Sequence, residues 1–341
     1  MTQQVGPSRI MEVGFGFWNS KTLLTAVNLE IFTKLGADKL SADDIKAELR
    51  LHGRGIYDFL DSLVSLGFLK REGLLEKARY SNTEETRAFL DKKSPQYIGG
   101  ILEYLNNRSY TFWGDLEEGL RTGKPQNELK ISGKSVFEAI YANPILLRQF
   151  IQAMIGGQIG SFIEFATKFD FSKYSTLCDI GGAGGQLSIQ VALNNEHMIC
   201  STLDLSPVEP IAKETIEKFG LSSRISTISG DFFKDDFPKA DVIVMGNILH
   251  DWNLENKKYL IQKAYNALPA SGALVAIESF IDNERKNNSL GLLMSLNMLI
   301  ETEGGFNFTV ADFDSWCKEI GFKETTMMPL TGLNSAVIAF K

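Results

Sequence analysis

The pattern of apolar and polar residues near the N-terminus predicts three amphipathic helices followed by a β-hairpin. Apolar residues recur every three or four positions over 19–36, about 42–49 and about 54–66, the spacing of one helix face. Ser41-Ala-Asp-Asp44 resembles a capping box, and Gly36 and Gly67 are helix stop signals. Segments 68–70 and 78–80 flank a charged turn that contains a glycine. This order of elements is typical of a winged helix.

The second half of the chain has a different pattern. From 97 to about 169 the chain is again mostly helical, and after about 172 short apolar runs alternate with longer amphipathic segments. That alternation builds a parallel sheet with helices on both faces. The predicted strands are 175–180, 199–204, 225–229, 241–246 and 273–278, followed by an antiparallel hairpin of 323–329 and 335–340. We therefore predict an α/β chain with a helical, winged-helix-like domain over 1–168 and a sheet domain over 169–341.

Composition narrows the classes of partner. A length of 341 residues suits two domains, and the net charge of −7 disfavours binding to a phosphate backbone. The helix that would enter a DNA groove carries Arg54 but also Asp58 and Asp61. No apolar stretch reaches the roughly 18 residues that a membrane span needs, and the first residues lack the pattern of a signal peptide. We expect a cytoplasmic protein that binds neither nucleic acid nor membrane.

The three cysteines, Cys178, Cys200 and Cys317, are far apart in the sequence. They form no C-x-x-C pair, so neither a disulfide framework nor a structural zinc site is indicated. We expect buried, reduced thiols and no metal site.

A glycine-rich turn follows the first predicted strand of the sheet domain. Gly181-Gly-Ala-Gly-Gly185 stands between strand 175–180 and a helical segment, where glycines let a ligand approach the backbone closely. The dinucleotide fingerprint G-x-G-x-x-G fails here, because its third glycine would fall on Leu187. Asp179 places a carboxylate beside the turn, which suits a cationic ligand better than a pyrophosphate. A tight connection without any ligand is the alternative explanation.

Acidic residues also follow the next two strands. Asp204 closes strand 199–204, where its carboxylate is able to accept both hydroxyls of a ribose. Asp231 and Phe232 follow strand 225–229 and offer an acceptor and an aromatic face, which suit the amino group and ring of an adenine. Singly, each carboxylate is explained equally well as a loop residue or a helix cap. Together they indicate a site for a nucleoside with a positive centre.

His250 is the candidate general base. It follows strand 241–246 in the motif Asn247-Ile-Leu-His-Asp-Trp252, and histidine is the side chain whose ordinary pKa lies nearest neutrality. Glu278 ends strand 273–278, where it is able to orient and polarise the imidazole. A capping or core histidine and a surface carboxylate are the structural alternatives.

These motifs together carry a family resemblance that spans nearly the whole chain. The ordered set comprises residues 177–185, 203–207, 230–233, 247–252, 265–269 and 298–305. It resembles the S-adenosylmethionine-dependent O-methyltransferases of the plant caffeate and bacterial polyketide type. The resemblance implies a Rossmann-like class I methyltransferase sheet. It also implies that the winged-helix-like region is a dimerisation domain.

The resemblance implies a role for each matching residue. Gly181, Gly182 and Gly185 would pass close to the methionine part of the cofactor, with Asp179 and Asn247 also on the cofactor side. Asp204 would hold the ribose, and Asp231 and Phe232 the adenine. His250 matches the catalytic base of the family, and Glu278 matches one of its two flanking acids.

Two positions depart from the family pattern. Asn307 stands where the second flanking acid, a glutamate, is common, and Gly246 replaces a lysine often found in plant members. These departures leave the acceptor open.

The acceptor side is expected to be apolar and aromatic. Phe150, Met154, Trp252, Met294 and Met298 are the predicted lining residues, although core packing explains each of them equally well. Asn297, in a Met-rich run, needs a hydrogen-bond partner and is a candidate for orienting a substrate oxygen.

Three functions remain open at this point. The first is O-methylation of a small aromatic or polyketide-like acceptor, with His250 as general base. The second keeps the fold and cofactor but methylates carbon or nitrogen, or catalyses another reaction. The third, a winged-helix regulator that senses a nucleoside, leaves His250 and Glu278 unexplained.

For either enzyme we expect a homodimer built through residues 1–110, with Phe15 or Trp18 reaching the acceptor pocket of the other subunit.

Overall fold

The structure is a computed structural model that describes residues 5–341, apart from the side chain of Val136. The α-helices are α1 (Ser8–Asn28), α2 (Ile31–Leu35), α3 (Ala42–Glu48), α4 (Ile56–Ser65), α5 (Glu84–Phe89), α6 (Gly99–Tyr104), α7 (Tyr110–Phe112), α8 (Leu116–Thr122), α9 (Glu128–Ser132), α10 (Val136–Tyr141), α11 (Pro144–Lys168), α12 (Gln186–Asn194), α13 (Glu209–Lys218), α14 (Leu254–Ala267), α15 (Ser289–Glu301) and α16 (Val310–Ile320). The strands are β1 (Leu69–Glu72), β2 (Arg79–Asn82), β3 (Thr176–Ile180), β4 (Ile199–Asp204), β5 (Ile225–Ser229), β6 (Val242–Gly246), β7 (Ala273–Glu278), β8 (Glu324–Pro329) and β9 (Ser335–Phe340).

The chain divides into two compact units, one ending at Thr111 and one running from Phe112 to Lys341. This boundary differs from the predicted one near 168. Helices α8 to α11 lie in the second unit with the sheet, and the segment between α8 and α9 is hydrogen-bonded to α15. The Gln126 N–H donates to the Ile300 carbonyl at 2.9 Å, and the Asn127 side chain donates to the Glu301 carbonyl at 2.8 Å. A helical pattern in the sequence does not show which core its apolar face joins.

The N-terminal unit contains the predicted helices and hairpin. Antiparallel pairing of β1 with β2 and the capping box between Ser41 and Asp44 are confirmed. The first helix differs from its prediction, because α1 begins at Ser8 and breaks before α2 at Glu30, whose φ is +58°. The break turns Ile31, Phe32 and Leu35 of α2 fully into the core.

The start of α1 has no apolar and polar alternation that would reveal a helix. Its apolar residues point outward all round, and Val13, Phe15, Phe17 and Trp18 are each about half exposed or more.

The C-terminal unit is a seven-stranded sheet in the order β5-β4-β3-β6-β7-β9-β8. The five strands β3 to β7 are parallel, while β9 runs antiparallel to both β7 and β8. The strand order reverses between β3 and β6, and open sheets of this kind bind ligands at the carboxyl edge beside such a reversal. All seven predicted strands of this sheet are confirmed to within a residue.

The sheet is buried on both faces. The two layers of apolar side chains are centred on residues such as Val244 and Val275 on one face and Ile243 and Leu274 on the other. Cys178, Cys200 and Cys317 are buried and free, as predicted. Within residues 5–341, no helix has the length and hydropathy that crossing a membrane requires, and no cluster of side chains has the composition of a metal site.

Candidate active site

The glycine turn lies at the carboxyl end of β3. Gly181 and Gly185 have φ of +69° and +75°, values that favour glycine, and Gly185 caps the N-terminus of α12. At Gly182 an added Cβ would lie 2.6 Å from the Asp179 carboxylate and would overlap the Thr202 hydroxyl. The side chains beneath the turn therefore require glycine at 182.

Two carboxylates flank this turn. Asp179 is 4% exposed, and burial followed by the charge of Asp204 raises its pKa well above the ordinary value. Asp204, at the end of β4, accepts hydrogen bonds from the N–H of Ala183 at 2.9 Å and of Leu205 at 2.7 Å. Burial raises the pKa of Asp204 to about 6, despite these two bonds. Both carboxylates therefore favour a positively charged neighbour.

Phe232 and Asp231 follow β5 at the same edge. The Phe232 ring comes within 3.8 Å of the Cβ position of Gly181 and packs edge-on against the Trp252 ring, with 5.9 Å between centroids. Asp231 pairs with Lys234 at 2.8 Å, and this pairing lowers the pKa of its carboxyl. The structure thus brings the glycine turn, Phe232 and Trp252 together, although the sequence analysis assigns Phe232 to the cofactor side and Trp252 to the acceptor side.

His250 lies in the turn after β6. Asn247 reverses the chain with a φ of +54°, and its backbone N–H donates to Ile277 of β7 at 2.9 Å. The His250 ring is 6% exposed, and its Nδ1 lies 2.5 Å from Oε2 of Glu278, which has no exposed surface. The other oxygen of Glu278 accepts the backbone N–H of His250 at 3.3 Å. One carboxylate therefore fixes both the ring and the backbone of His250.

Comparison with known proteins identifies the chain. An O-methyltransferase domain model matches residues 113–323, and an O-methyltransferase dimerisation domain model matches 11–92. The chain belongs to the S-adenosylmethionine-dependent O-methyltransferase family. S-adenosylmethionine is the cofactor of this family, and the seven-stranded sheet is its class I methyltransferase fold.

Individual relatives match over almost the full length. The chain is 32% identical over 338 residues to the tetracenomycin polyketide synthesis 8-O-methyl transferase TcmO of Streptomyces glaucescens, covering 98% of this chain and 97% of TcmO. It is 29% identical to the N,N-dimethyltransferase OxyT of Streptomyces rimosus over 92% of this chain and 90% of OxyT. The crystal structure of human N-acetylserotonin methyltransferase in complex with SAM superposes with a TM-score of 0.91, at 29% identity, over 100% and 99% of the two chains.

The residues at the glycine turn of this O-methyltransferase fit the cofactor. Besides the two carboxylates, the Gln158 Oε1 and Thr202 Oγ1 atoms are buried without a hydrogen-bond partner in the part of the chain that the structure describes. Gln158 shares a face of α11 with Ile155, which contacts the Cβ position of Gly184, and with Phe162, which contacts that of Gly246. A cationic amino-acid nucleoside supplies the donors and charge that these groups lack.

Asp251 and Tyr141 belong to the site but escape the sequence analysis. Asp251 Oδ1 lies 3.4 Å from Nε2 of His250, and burial raises the pKa of the Asp251 carboxyl to about 6, against the opposing effect of His250. Burial, followed by the charges of Asp204 and Asp251, raises the pKa of Tyr141. Asp251 is the residue directly after His250, so the sequence holds a signal for this pair. The position of Tyr141 depends on packing, for which the sequence holds no such signal.

A cavity of about 270 Å³ lies beside Asp251, the residue after His250, and His250 itself does not border it. Trp252 and Phe137 border it, with their rings stacked at a centroid distance of 6.3 Å. Asp251, Glu301 and Glu303 border it too, so the cavity is more acidic than predicted. The buried indole nitrogen of Trp252 lacks a hydrogen-bond partner among the described residues.

The other predicted acceptor residues are placed differently. Of the seven residues predicted for the acceptor side, Trp252 borders this cavity, and within residues 5–341 the remaining six do not. These six are Phe150, Met154, Met294, Asn297, Met298 and Asn307. Asn297 receives a hydrogen bond from the Trp113 indole at 2.8 Å, which supplies the partner it was expected to need.

Asn307 is engaged by the backbone and does not offer its side chain to an acceptor. Its amide donates to the carbonyls of Ser279 at 2.6 Å and Gly291 at 3.3 Å, while its oxygen accepts the N–H of Phe308. These bonds hold the segment before α16 against the end of β7. Asp251, rather than residue 307, supplies the second carboxylate at His250.

The pairing of His250 with Glu278 predicts a measurable shift in basicity. Burial alone lowers the pKa of His250, but the charges of Glu278 and Asp251 and the Glu278 hydrogen bond outweigh it and raise this pKa to about 9. In Glu278→Gln we expect the His250 pKa to fall by at least about one unit, because one compensating charge is lost. NMR titration of the imidazole C–H protons measures it, with His52 and His197 as internal references.

Glu303→Gln is the matched control for this titration. Glu303 is an exposed acid that borders the same cavity, so this variant removes an equal charge without touching the ring. An unchanged His250 pKa in Glu278→Gln would contradict the electrostatic role of the pair.

Proposed function

We propose that this O-methyltransferase transfers a methyl group from S-adenosylmethionine to a hydroxyl of a small aromatic or polyketide-like acceptor, with His250 as general base. The observation that carries the proposal is the buried pair of His250 and Glu278 at 2.5 Å, one strand away from the glycine turn at the same sheet edge. Binding a nucleoside needs no such pair, whereas removing a proton does.

The cofactor side is built from the carboxyl ends of β3, β4 and β5. Asp204 accepts the ribose hydroxyls, and Asp231 and Phe232 contact the adenine. Gln158 accepts a hydrogen bond from the ammonium of the methionine part, which satisfies its buried oxygen. When bound, the cofactor supplies an electrophilic methyl carbon on a sulfonium. The buried carboxylates Asp179 and Asp204 favour its positive charge.

His250 acts through its Nε2 atom. Since Nδ1 donates to Glu278, the second ring nitrogen carries the lone pair that removes the acceptor proton. The pKa of His250, raised to about 9, lies close to the ordinary phenol value of about 10, so proton transfer is nearly isoenergetic. Asp251, 3.4 Å from Nε2, stabilises the imidazolium that results.

The cavity beside Asp251 suits a flat acceptor with polar substituents. Phe137 and Trp252 offer aromatic rings, and the buried indole N–H of Trp252, which lacks a partner among the described residues, would gain one from an acceptor oxygen. Phe150, Met154, Met294, Asn297 and Met298 remain candidates for a wall that forms only around a bound acceptor.

N-methylation is the second candidate function. The likeness to the N,N-dimethyltransferase OxyT and the carboxylates that border the cavity favour it, because carboxylates attract an amine. Incubation with cofactor and a panel of phenols, quinols, 2-oxo acids and aromatic amines, with the added methyl located by mass spectrometry, separates the two functions. Methylation of amines alone would overturn the proposed O-methylation.

The cofactor assignment predicts the effect of Asp204→Ala. Loss of hydrogen bonds to a charged acceptor is expected to weaken S-adenosylmethionine binding by about 1.5 to 3 kcal/mol. Calorimetric titration measures it, with the exposed Asp236→Ala as control. Thermal unfolding of Asp204→Ala separates a lost ligand contact from a lost turn, because Asp204 also holds the Ala183 N–H. Unchanged affinity would place the ribose elsewhere.

The general-base assignment predicts the effect of His250→Gln. Glutamine keeps much of the shape, so cofactor affinity should stay the same while kcat falls roughly 10²- to 10⁴-fold. In the wild type, kcat/KM should rise about tenfold per pH unit below the raised His250 pKa, because only neutral imidazole accepts the proton.

Ionised acceptors provide the control for this prediction. Phenols that are already ionised at neutral pH should lose least in His250→Gln, because they need no base. Equal losses for ionised and neutral phenols would show that His250 only positions the acceptor.

We infer that the chain forms a homodimer through its N-terminal unit. The dimerisation domain model covers 11–92, and α1 within it exposes Val13, Phe17 and Trp18. A monomer rarely leaves so many apolar side chains in water on one helix, and a second copy would cover them. Whether Phe15 or Trp18 enters the acceptor pocket of the partner stays a prediction.

Charge placed on α1 is expected to dissociate this dimer. Val13→Glu/Phe17→Glu puts two carboxylates one turn apart on the proposed interface, where burial would cost several kcal/mol each. Sedimentation velocity at micromolar concentration should show a dimer for the wild type and a monomer for the variant. Leu120→Glu, at a residue of α8 that is 62% exposed, is the control and should remain dimeric. A monomeric, fully active wild type would contradict the proposal.

A further inference from the structure

Lys257 is a lysine with no exposed surface. It lies in the first turn and a half of α14, seven residues after His250 in the chain. An ammonium group loses much hydration free energy on burial, so lysine is almost never fully buried without specific partners. The mechanism described above does not use this residue.

The contacts of Lys257 join the two segments that enclose the His250 turn. Its ammonium donates to the backbone carbonyl of Trp252, which closes that turn. It also lies 3.5 Å from the centre of the Phe306 ring, on the segment between α15 and α16. This segment is packed against the turn, since a Cβ at Gly305 would lie 2.7 Å from the carbonyl oxygens of His250 and Asp251.

Lys257 is also the positively charged member of the set of ionisable side chains around His250. The charges that act on the imidazole are those of Glu278 from β7, Asp251 from its own turn and Lys257 from α14, and Glu301 from α15 acts on Asp251. Burial lowers the pKa of Lys257 to about 8, while Glu278 and Asp251 oppose this and favour the charged form. Two carboxylates beside one imidazole would hold it protonated, and the ammonium offsets part of their field.

We propose that Lys257 is a positioning residue that holds the His250 turn through the Trp252 carbonyl and supplies the positive charge of the buried group formed by Glu278, Asp251 and His250. This inference rests on the proposed role of His250. Its electrostatic part concerns the ring alone and is measurable without turnover.

Two variants separate the charge of Lys257 from its hydrogen bond. Lys257→Met removes both at similar volume, and Lys257→Gln removes the charge but keeps a donor for the Trp252 carbonyl. Lys257→Arg retains a cation. Lys258→Met is the matched control, because the neighbouring Lys258 is more exposed and is ion-paired with Glu319 at 2.6 Å.

The first measurement is the pKa of His250 by NMR titration, with Lys257→Met and Lys257→Gln compared with the wild type. In both variants we expect this pKa to rise by about 0.5 to 1 unit, since a nearby positive charge is lost. Lys257→Arg should restore it and Lys258→Met should leave it unchanged. If Lys257→Met does not fold by circular dichroism, Lys257→Gln provides the test.

The second measurement is the pH profile of kcat/KM. The acid limb should move upward by the same shift, which lowers kcat/KM at pH 7 by about three- to tenfold, with convergence toward the wild type above the His250 pKa. An unmoved His250 pKa in both neutral variants, or an equal loss at every pH, would overturn the proposal. If the NMR shift is found while His250→Gln keeps full activity, the base assignment fails and the Lys257 coupling stands.

Discussion

The desolvated contact between Glu278 and His250 is the constraint on which the active-site architecture depends. A carboxylate without exposed surface is costly to bury unless donors and positive charge surround it. Glu278 obtains two donors from one residue, the ring and the backbone amide of His250. This requires the end of β7 and the turn after β6 to lie at a fixed separation, which the parallel pairing of these two strands provides.

The cofactor side also contains carboxylates removed from water, but these lack the partner that Glu278 has in His250. Asp179 is buried and Asp204 half-buried beside a turn in which Gly181 and Gly185 have positive φ, and the part of the chain that the structure describes places no lysine or arginine against them. Burial makes these carboxylates poor anions in the ligand-free protein. The binding of a sulfonium therefore also offsets part of the free-energy cost of burying these carboxylates. This explains why acidic residues, rather than only backbone amides that bind phosphate, lie at the ends of these strands.

The sequence predicted this sheet almost to the residue because each strand is a short apolar run bounded by turn residues, and such runs are buried whatever packs on them. The motif residues of the turns were predictable for the same reason. The start of α1 was missed because its apolar side chains face outward and show no periodicity. Gln158, Tyr141 and Lys257 have no signal in the sequence because their surroundings depend on how side chains of other elements pack. Asn307 shows the converse, since a family position suggested a role at the acceptor that local backbone bonds exclude.

The antiparallel strand β9 has a consequence for how the enzyme is made. It pairs with β7 along its whole length and sets Ser335 opposite Glu278. The strand that ends in Glu278 thus depends on a neighbour that leaves the ribosome only after the helices α15 and α16 and strand β8 have been synthesised. Until then one edge of β7 has unpaired backbone N–H and C=O groups. Such an edge is able to pair with another chain, which favours aggregation of the partly folded protein. Synthesis therefore produces a nearly complete cofactor side well before a stable catalytic side.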